Sequence, residues 1–190
     1  MKIGIAGGSF NPIQKGHTRL ANHLVKEGIV DMVLMMPCYK SLYNKEVLDG
    51  EIRLKMIELA NRSPKVQPFD WEIRNKIEGI GTYDVMKMIE KEFPNDELYF
   101  IIGLDNSQKV KTWLNGDRIT KEFKFIVVPR KGTNTEDIWF MEPPHIFVNN
   151  YEADEISSTA AKEILGRGAN PKEMLDEAVY DYIIQHKLYV

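Results

Sequence analysis

The residues best suited to phosphate chemistry stand in the turn after the first apolar run, GGSFNPIQKGH at positions 7–17. Gly7 and Gly8 lack a Cβ, so the backbone can bend sharply there and a phosphate can approach it closely. Gly16 and His17 begin a helix-like stretch. An imidazole beside the free N–H groups of a helix start is suited to bind an anion. A simple tight turn and an ordinary exposed or satisfied histidine are the alternatives that these residues alone leave open.

A second set of small polar residues, ISST, precedes a helix-like run from Ala160 to Leu165. Hydroxyl and N–H groups at a helix start can bind phosphate oxygens, and the same groups can cap the helix. Both roles remain open for this set, which consists of Ile156, Ser157, Ser158 and Thr159.

The elements that must position these residues alternate along the chain. Helix-like stretches separate most of the apolar strand-like runs, which are Lys2–Ala6, Val30–Met36, Lys65–Phe69, Leu98–Ile102 and Lys124–Val128. Alternation of this kind predicts βαβ units, and runs that are apolar on both faces are typical of strands between two helix layers. We therefore predict an α/β fold, a Rossmann-like, doubly wound and mainly parallel sheet with C-terminal helices. Ligands bind beyond the carboxyl ends of the strands in such sheets, so the turn at 7–17 lies where a site is expected.

Three helical stretches are predicted to bury one face. Residues three and four apart share a helix face, which assigns two groups to the core: Arg53, Met56, Ile57 and Ala60, and Val85, Met88 and Ile89. A last helix is predicted over Pro171–Lys187, with its proline in the first turn, where no backbone donor is lost.

Bulk properties limit the function classes. The length of 190 residues suits one domain, 1–190, and the sequence contains no repeat or linker. The single cysteine, Cys38, has no internal partner, which favours a reducing compartment and hence the cytosol. We expect no membrane partner, because no apolar run reaches the roughly 20 residues that span a bilayer. A formal charge of −3 argues against a nucleic-acid partner, and homo-oligomer formation is left open.

The two motifs resemble the signatures of one superfamily. GGSFNPIQKGH resembles GxFxPxHxGH, and ISST with its helix resembles ISSTxxR, in the nucleotidyltransferases that include nicotinate-nucleotide and phosphopantetheine adenylyltransferases. The resemblance to the nicotinate-nucleotide branch extends over nearly all of the chain, through YFIIGLDN, KTWL, FKFIVVPR and VYDYIIQHKLY.

The resemblance implies an activity. The 5′-phosphate of nicotinate or nicotinamide mononucleotide attacks the α-phosphorus of ATP, bound with Mg²⁺, and pyrophosphate leaves without a covalent enzyme intermediate. Catalysis is implied for His17, Gln14 and Lys162. Contacts with ATP are implied for Gly7, Gly8, Ser9, Phe10, Gly16, His17, Gly103, Asp105, Arg130, Lys162 and the ISST set. Contacts with the pyridine mononucleotide are implied for Thr82, Tyr83, Asp84, Trp113, Lys40 and Lys45. No protein-bound metal is expected.

Two of these roles have structural alternatives. Asp105 is expected to contact the ribose or groups near it, but it could instead cap the helix that follows. Trp113 corresponds to the aromatic residue on which the family stacks the pyridine ring, and a tryptophan at this spacing could instead belong to the core.

The chain departs from the family pattern at four places. Gln14 replaces the first histidine of HxGH, which predicts slower catalysis with one fewer cationic donor. Lys162 replaces the arginine of ISSTxxR and gives up bidentate phosphate recognition. Lys40 and Lys45, in PCYKSLYNK, either replace the family's His-Lys pair or are solvated loop lysines. Asp84 either accepts hydrogen bonds from a carboxamide, which would favour the nicotinamide substrate, or caps its helix.

Two other functions remain open from the sequence. The chain could adenylylate another phosphate ester, such as a phosphopantetheine-like acceptor. It could also be a nucleotide-binding sensor that lost catalysis together with the first histidine.

Overall fold

A six-stranded parallel sheet forms the centre of the computed structural model, which describes residues 1–40, 46–132, 138–151, 153 and 158–189. Its strands are β1 (Lys2–Gly8), β2 (Met32–Pro37), β3 (Val66–Pro68), β4 (Glu97–Gly103), β5 (Lys124–Val128) and β6 (Ile146–Phe147). Their order is β3-β2-β1-β4-β5-β6, and every pairing is parallel. This is the order of a doubly wound Rossmann-like sheet, so the predicted fold class is confirmed.

Helices cover both faces of the sheet. They are α1 (Lys15–Lys26), α2 (Gly50–Ala60), α3 (Trp71–Arg74), α4 (Thr82–Ile89), α5 (Leu104–Ser107), α6 (Gly116–Glu122), α7 (Ser158–Gly166) and α8 (Glu177–Gln185). Buried side chains of α1, α2, α7 and α8 join one apolar cluster, and those of α3 to α6 join the other. Successive residues of a strand point to opposite faces, so Tyr99 and Ile101 enter the first cluster while Phe100 enters the second.

The sequence located five of the strands and missed β6, which has only two residues and stands in an apolar run of three. Two helix predictions were wrong. The helix predicted over Pro171–Lys187 begins only at Glu177, because Asp176 caps it by accepting the N–H of Ala178 at 3.1 Å. Met88, assigned to the core, is 42% exposed, while Met86 is buried on that helix. The buried face of α4 consists of Tyr83, Val85, Met86 and Ile89.

An opening between β1 and β4 marks the ligand-binding edge. The pairing of β1 with β4 ends at Ala6 and Ile101, whereas β1 stays paired with β2 as far as Gly8 and Pro37. Chain connections run in opposite directions from these two central strands. Such a topological switch point is where doubly wound sheets form their ligand crevice. Gly7, the first residue of β1 beyond the β4 pairing, is exposed there.

Arg53 joins the loops at this edge. Its side chain is fully buried within α2. The guanidinium donates to three backbone carbonyls, those of Leu48 at 2.7 Å, Ser9 at 3.0 Å and Tyr39 at 3.3 Å. Ser9 follows β1, Tyr39 follows β2, and Leu48 precedes α2. One side chain thus fixes the relative position of three loop segments around the crevice.

Loss of this guanidinium is expected to be strongly destabilising. Arg53→Met fills the space with an apolar chain but leaves carbonyls buried without donors, so the free energy of unfolding should fall by at least about 3 kcal/mol. Urea unfolding measures this change. Arg62→Met, at an exposed arginine just after α2, is the matched control and should change stability by less than about 0.5 kcal/mol. Equal effects of the two substitutions would contradict the role of Arg53.

Candidate active site

The turn after β1 is shaped around Phe10. A Cβ on Gly8 would lie 3.3 Å from the Phe10 ring, so a side chain there would press against that ring. Phe10 has a φ of 44°, in the left-handed region, and its ring is buried. The ring also meets the imidazole of His17 edge-on, with centroids 5.1 Å apart. The turn therefore carries a strained backbone that its surroundings hold in place, and it packs directly on the candidate catalytic histidine.

His17 lies in the first turn of α1, as predicted. Its Nδ1 accepts the backbone N–H of Gln14 at 3.1 Å, so a neutral ring carries its proton on Nε2. Burial, together with the positive charge of Arg130, lowers the pKa of His17 to about 4. In the ligand-free protein His17 is thus a neutral donor through Nε2.

Gln14 occupies the N-cap of α1 and is only 2% exposed. The sequence analysis placed it as the family's first histidine but gave no sign of burial. Its amide nitrogen has no hydrogen-bond partner within the described part of the chain, and its amide oxygen only faces the backbone N–H of His17 in a capping box. Buried polar groups without partners cost stability and are rare. This amide is therefore a candidate ligand group.

A charged pair lies at the ends of β4 and β5. The Arg130 Nη1 donates to Asp105 Oδ2 at 3.2 Å. A Cβ on Gly103 would lie 2.5 Å from Asp105 Oδ1 and 2.8 Å from Arg130 Nε, so the pair covers the glycine closely. Asp105 Oδ1 is buried and has no partner among the described residues.

Asp105 does not cap the helix that follows, which was the structural alternative for this residue. The N-cap of α5 is Gly103, and α5 has no side-chain cap bond. Asp105 lies within the first turn of α5 instead. Because β4 and β5 run parallel to β1, the residues at and after their carboxyl ends, Gly103, Asp105 and Arg130, lie at the same edge of the sheet as the β1 turn.

The second motif reaches the turn through α7. Ser158, the first residue of α7, donates its hydroxyl to the Pro12 carbonyl at 3.4 Å. Thr159 is exposed, and Lys162 is partly buried one turn further along α7. Ile156 and Ser157 lie outside the described residues. The described part of ISST therefore meets the β1 turn, although the two motifs are about 140 positions apart in the sequence.

The predicted acceptor residues converge at the start of α4. A Cβ on Gly81, the N-cap of α4, would lie 2.9 Å from the Leu114 Cβ. Trp113 precedes Leu114 and is partly buried against the core, so part of its ring remains accessible. A helix that precedes a strand of a parallel sheet begins at the carboxyl edge, so Thr82 lies at the same edge as the β1 turn.

Two acceptor predictions need correction. The Tyr83 side chain is 5% exposed, and its hydroxyl donates to Glu122 at 2.8 Å, so it packs between α4 and α6. Only the backbone of Tyr83 is left to face a ligand. Asp84 is the third residue of α4 and is not its cap, because Gly81 takes that position without a side-chain bond.

Of the two lysines after β2, the structure describes only Lys40. Lys40 Nζ pairs with Glu78 at 2.8 Å, and both side chains are more than half exposed. This geometry matches the alternative in which Lys40 is a solvated loop lysine. Lys45 lies outside the described residues. The backbone of Tyr39, which precedes Lys40, makes two hydrogen bonds: Arg53 donates to its carbonyl, and its N–H donates to Glu72 at 3.3 Å. Burial raises the pKa of Glu72 to about 7.

Sequence reasoning missed the residues that support the site. Arg53 was assigned to the core from its spacing, and a cation within an apolar stripe was the available signal that it needs buried carbonyls. Glu72, Asn11 and Tyr189 carried no such signal, because their partners come from distant segments of the chain.

The class of the protein follows from the family that its sequence matches. Residues 5–164 match the family described as Cytidylyltransferase-like. The match spans most of the chain and includes the β1 turn, the charged pair and the start of α7. Together with the doubly wound sheet it defines the protein as a nucleotidyltransferase.

Relatives with longer matches define the branch. A Bacteroides fragilis protein described as "Probable nicotinate-nucleotide adenylyltransferase" is 34% identical over 187 residues, which cover 97% of this chain and 92% of the relative. A Streptococcus pneumoniae protein of the same description is 32% identical over 99% of this chain and 88% of its own. The chain therefore belongs to the nicotinate-nucleotide adenylyltransferase family.

A solved structure supports the fold. The Plasmodium falciparum nicotinic acid mononucleotide adenylyltransferase complexed with NaAD superposes with a TM-score of 0.85. The match covers 99% of this chain and 97% of that one at 24% identity. Separately, no helix within the described ranges is long and apolar enough to cross a membrane.

The neutral state of His17 predicts a specific titration. Its ring, followed by NMR, should stay neutral down to about pH 4. The folded pKa lies below the unfolded value, so this group's contribution to stability is complete above about pH 6.5 and is lost as pH falls through about 4. The stability difference between wild type and His17→Gln should therefore shift in favour of the variant on acidification. A midpoint near the ordinary value would contradict the buried geometry.

Proposed function

We propose that this chain transfers the adenylyl group of ATP to nicotinate mononucleotide and releases pyrophosphate. The observation that carries the proposal is the buried, unpaired amide nitrogen of Gln14 next to the His17 donor at the switch point of the sheet. Polar groups held ready without partners are suited to a ligand rich in oxygen. The names of the relatives agree with this substrate class.

The mechanism needs alignment and charge stabilisation more than a nucleophile. The 5′-phosphate of the acceptor attacks the α-phosphorus of ATP in line, the bond to the β-phosphate oxygen breaks, and pyrophosphate leaves. His17 donates through Nε2 to the phosphate on which charge develops, and Gln14 orients it with its amide. Arg130 adds the positive charge of its guanidinium.

The triphosphate is assigned to the start of α7. Ser158 and Thr159 offer hydroxyl and N–H groups there, and Lys162 contributes a charge one turn on. Gly7, Gly8, Ser9, Phe10 and Gly16 form the turn beneath the phosphates. Gly103 and Asp105 face the adenosine side, where the free Oδ1 of Asp105 is suited to accept from a ribose hydroxyl.

Magnesium is assigned to the substrate. Within the described ranges, no group of three or more His, Cys, Asp or Glu side chains could hold an ion. The phosphate oxygens of ATP are the ligands that Mg²⁺ prefers, so it would enter as MgATP and neutralise charge on the leaving pyrophosphate.

The acceptor is assigned to the edge between α4 and Trp113. The pyridine ring would stack on the accessible part of Trp113, next to the N–H groups at the start of α4. Those N–H groups favour a carboxylate, whereas an ionised Asp84 in the same turn would disfavour it. We assign nicotinate, because the similar proteins are described as nicotinate-nucleotide adenylyltransferases. Lys40 and Lys45 remain candidates for the acceptor phosphate.

The remaining assignments follow from the same reaction. We propose that residues 1–190 act as one nucleotidyltransferase domain, since α8 packs back on the sheet through Val179 and Ile183. We also propose that the protein acts in the cytosol. ATP and the mononucleotide are its partners, and no nucleic acid or membrane is required.

A pyrophosphate-release assay tests the function. ATP with Mg²⁺ is combined in turn with nicotinate mononucleotide, nicotinamide mononucleotide and phosphopantetheine, and the products are identified by mass. Release with the nicotinate substrate, at a higher kcat/KM than with the other two, is expected. Preference for phosphopantetheine would establish another acceptor class, and ATP binding without release would establish a sensor.

Replacement of His17 should separate catalysis from binding. His17→Ala removes the Nε2 donor, so kcat should fall by roughly 10²-fold or more, while ATP affinity should change little. Steady-state kinetics and an ATP titration on the same variant measure both quantities. His23→Ala, on the last turn of α1, is the matched control and should keep normal turnover. A His17→Ala variant with most of its turnover would remove His17 from the mechanism.

Gln14 is expected to lower the stability of the protein while it contributes to turnover. Because it is buried, its replacement cannot be neutral to the fold. Gln14→Leu removes a buried amide whose nitrogen is unpaired, so the melting temperature should rise while kcat falls roughly tenfold or more. Gln14→His restores a second imidazole and should raise kcat if a missing cation limits the rate. A lower melting temperature for Gln14→Leu would show that the amide is structural.

A further inference from the structure

Tyr189, which follows α8, touches the β1 turn. Its hydroxyl donates to Asn11 Oδ1 at 2.6 Å, although 178 positions separate the two residues. Tyr189 is partly buried, and burial raises the pKa of its hydroxyl, so the hydroxyl stays protonated and able to donate. This contact has no part in the reaction proposed above.

Asn11 uses all of its side chain to hold the turn. It is only 4% exposed. Besides the bond from Tyr189, its Oδ1 accepts the N–H of Leu48 at 3.3 Å, and its Nδ2 donates to the Glu46 carbonyl at 3.4 Å. These bonds tie the turn to the segment before α2, which Arg53 also holds through the Leu48 carbonyl.

The neighbours of Asn11 are the parts of the turn that meet the site. Phe10 precedes it, with a left-handed backbone and a ring that packs on His17. Pro12 follows it and accepts the hydroxyl of Ser158 at the start of α7. A residue other than glycine keeps a left-handed φ only where its surroundings enforce it. The Asn11 side chain anchors the residue after Phe10, and Arg53 holds the Ser9 carbonyl before it.

We propose that Tyr189 and Asn11 are positioning residues for the active site, which hold Phe10 against His17 through the hydrogen bond between them. Neither residue needs to touch a substrate. The reaction to which this contributes rests on the proposed function, whereas the effect on the His17 ring does not.

The test compares Tyr189→Phe with Tyr180→Phe. The first change deletes one hydroxyl and its bond to Asn11. The second deletes the hydroxyl of a partly buried tyrosine on α8 that packs against the same apolar cluster. For Tyr189→Phe, kcat should fall roughly threefold to tenfold with little change in the KM for ATP, because a small misplacement of catalytic groups acts mainly on the chemical step. Tyr180→Phe should match wild type.

An NMR titration of His17 in the free protein supplies a readout that does not depend on turnover. Loosening the turn lets water reach the ring, so the His17 pKa should rise from about 4 towards its ordinary value in Tyr189→Phe and should stay near 4 in Tyr180→Phe. Asn11→Ala should move it in the same direction and further. An unchanged His17 titration in Tyr189→Phe overturns the proposal, whatever the melting temperature. A shifted titration in an enzyme without the expected product supports the positioning role and rejects only the proposed reaction.

Discussion

The buried guanidinium of Arg53 is the interaction on which the geometry of the crevice depends. Three loop segments meet at this edge of the sheet, and each would present an unpaired carbonyl to the interior without it. Only an arginine offers enough donors in a rigid plane to satisfy three separate carbonyls. Asn11 then accepts the N–H of Leu48 in the segment before α2, and Glu72 accepts the N–H of Tyr39 in the segment after β2. The phosphate turn is thus part of a connected network and not an independent loop.

The ligand-free site is close to neutral at its centre. Burial keeps His17 uncharged, and Gln14 replaces a second imidazole with an amide, while the charge of Arg130 is paired with Asp105. In the proposed reaction, such a site would bind phosphate through oriented dipoles together with the charges of Arg130 and Lys162. Dipoles that are already oriented need no reorganisation when charge develops, which is the main source of electrostatic catalysis. The cost is the unpaired amide nitrogen of Gln14, which lowers the stability of the free protein.

The sequence predicted the fold correctly, and it placed the candidate site at the carboxyl edge of the sheet, because both inferences depend on local signals. Apolar runs between helix-like stretches specify a parallel sheet, and the β1 turn must lie at its carboxyl edge. What it could not predict depends on contacts between distant segments. The burial of Gln14, the inward orientation of Tyr83 and the three partners of Arg53 follow from how loops pack together. The late start of α8 was missed because the cap Asp176 competed with a proline that is equally acceptable in a first turn.

The central claim is that the Gln14 amide nitrogen and the His17 Nε2 are donors to the phosphates of the nucleotide. A crystal structure of the protein with nicotinate adenine dinucleotide, the product of the proposed reaction, tests it most directly. The account predicts that the Gln14 amide nitrogen and the His17 Nε2 each lie about 2.7–3.2 Å from a phosphate oxygen. An amide that stays buried without a partner, with the phosphates bound elsewhere along the crevice, would contradict it.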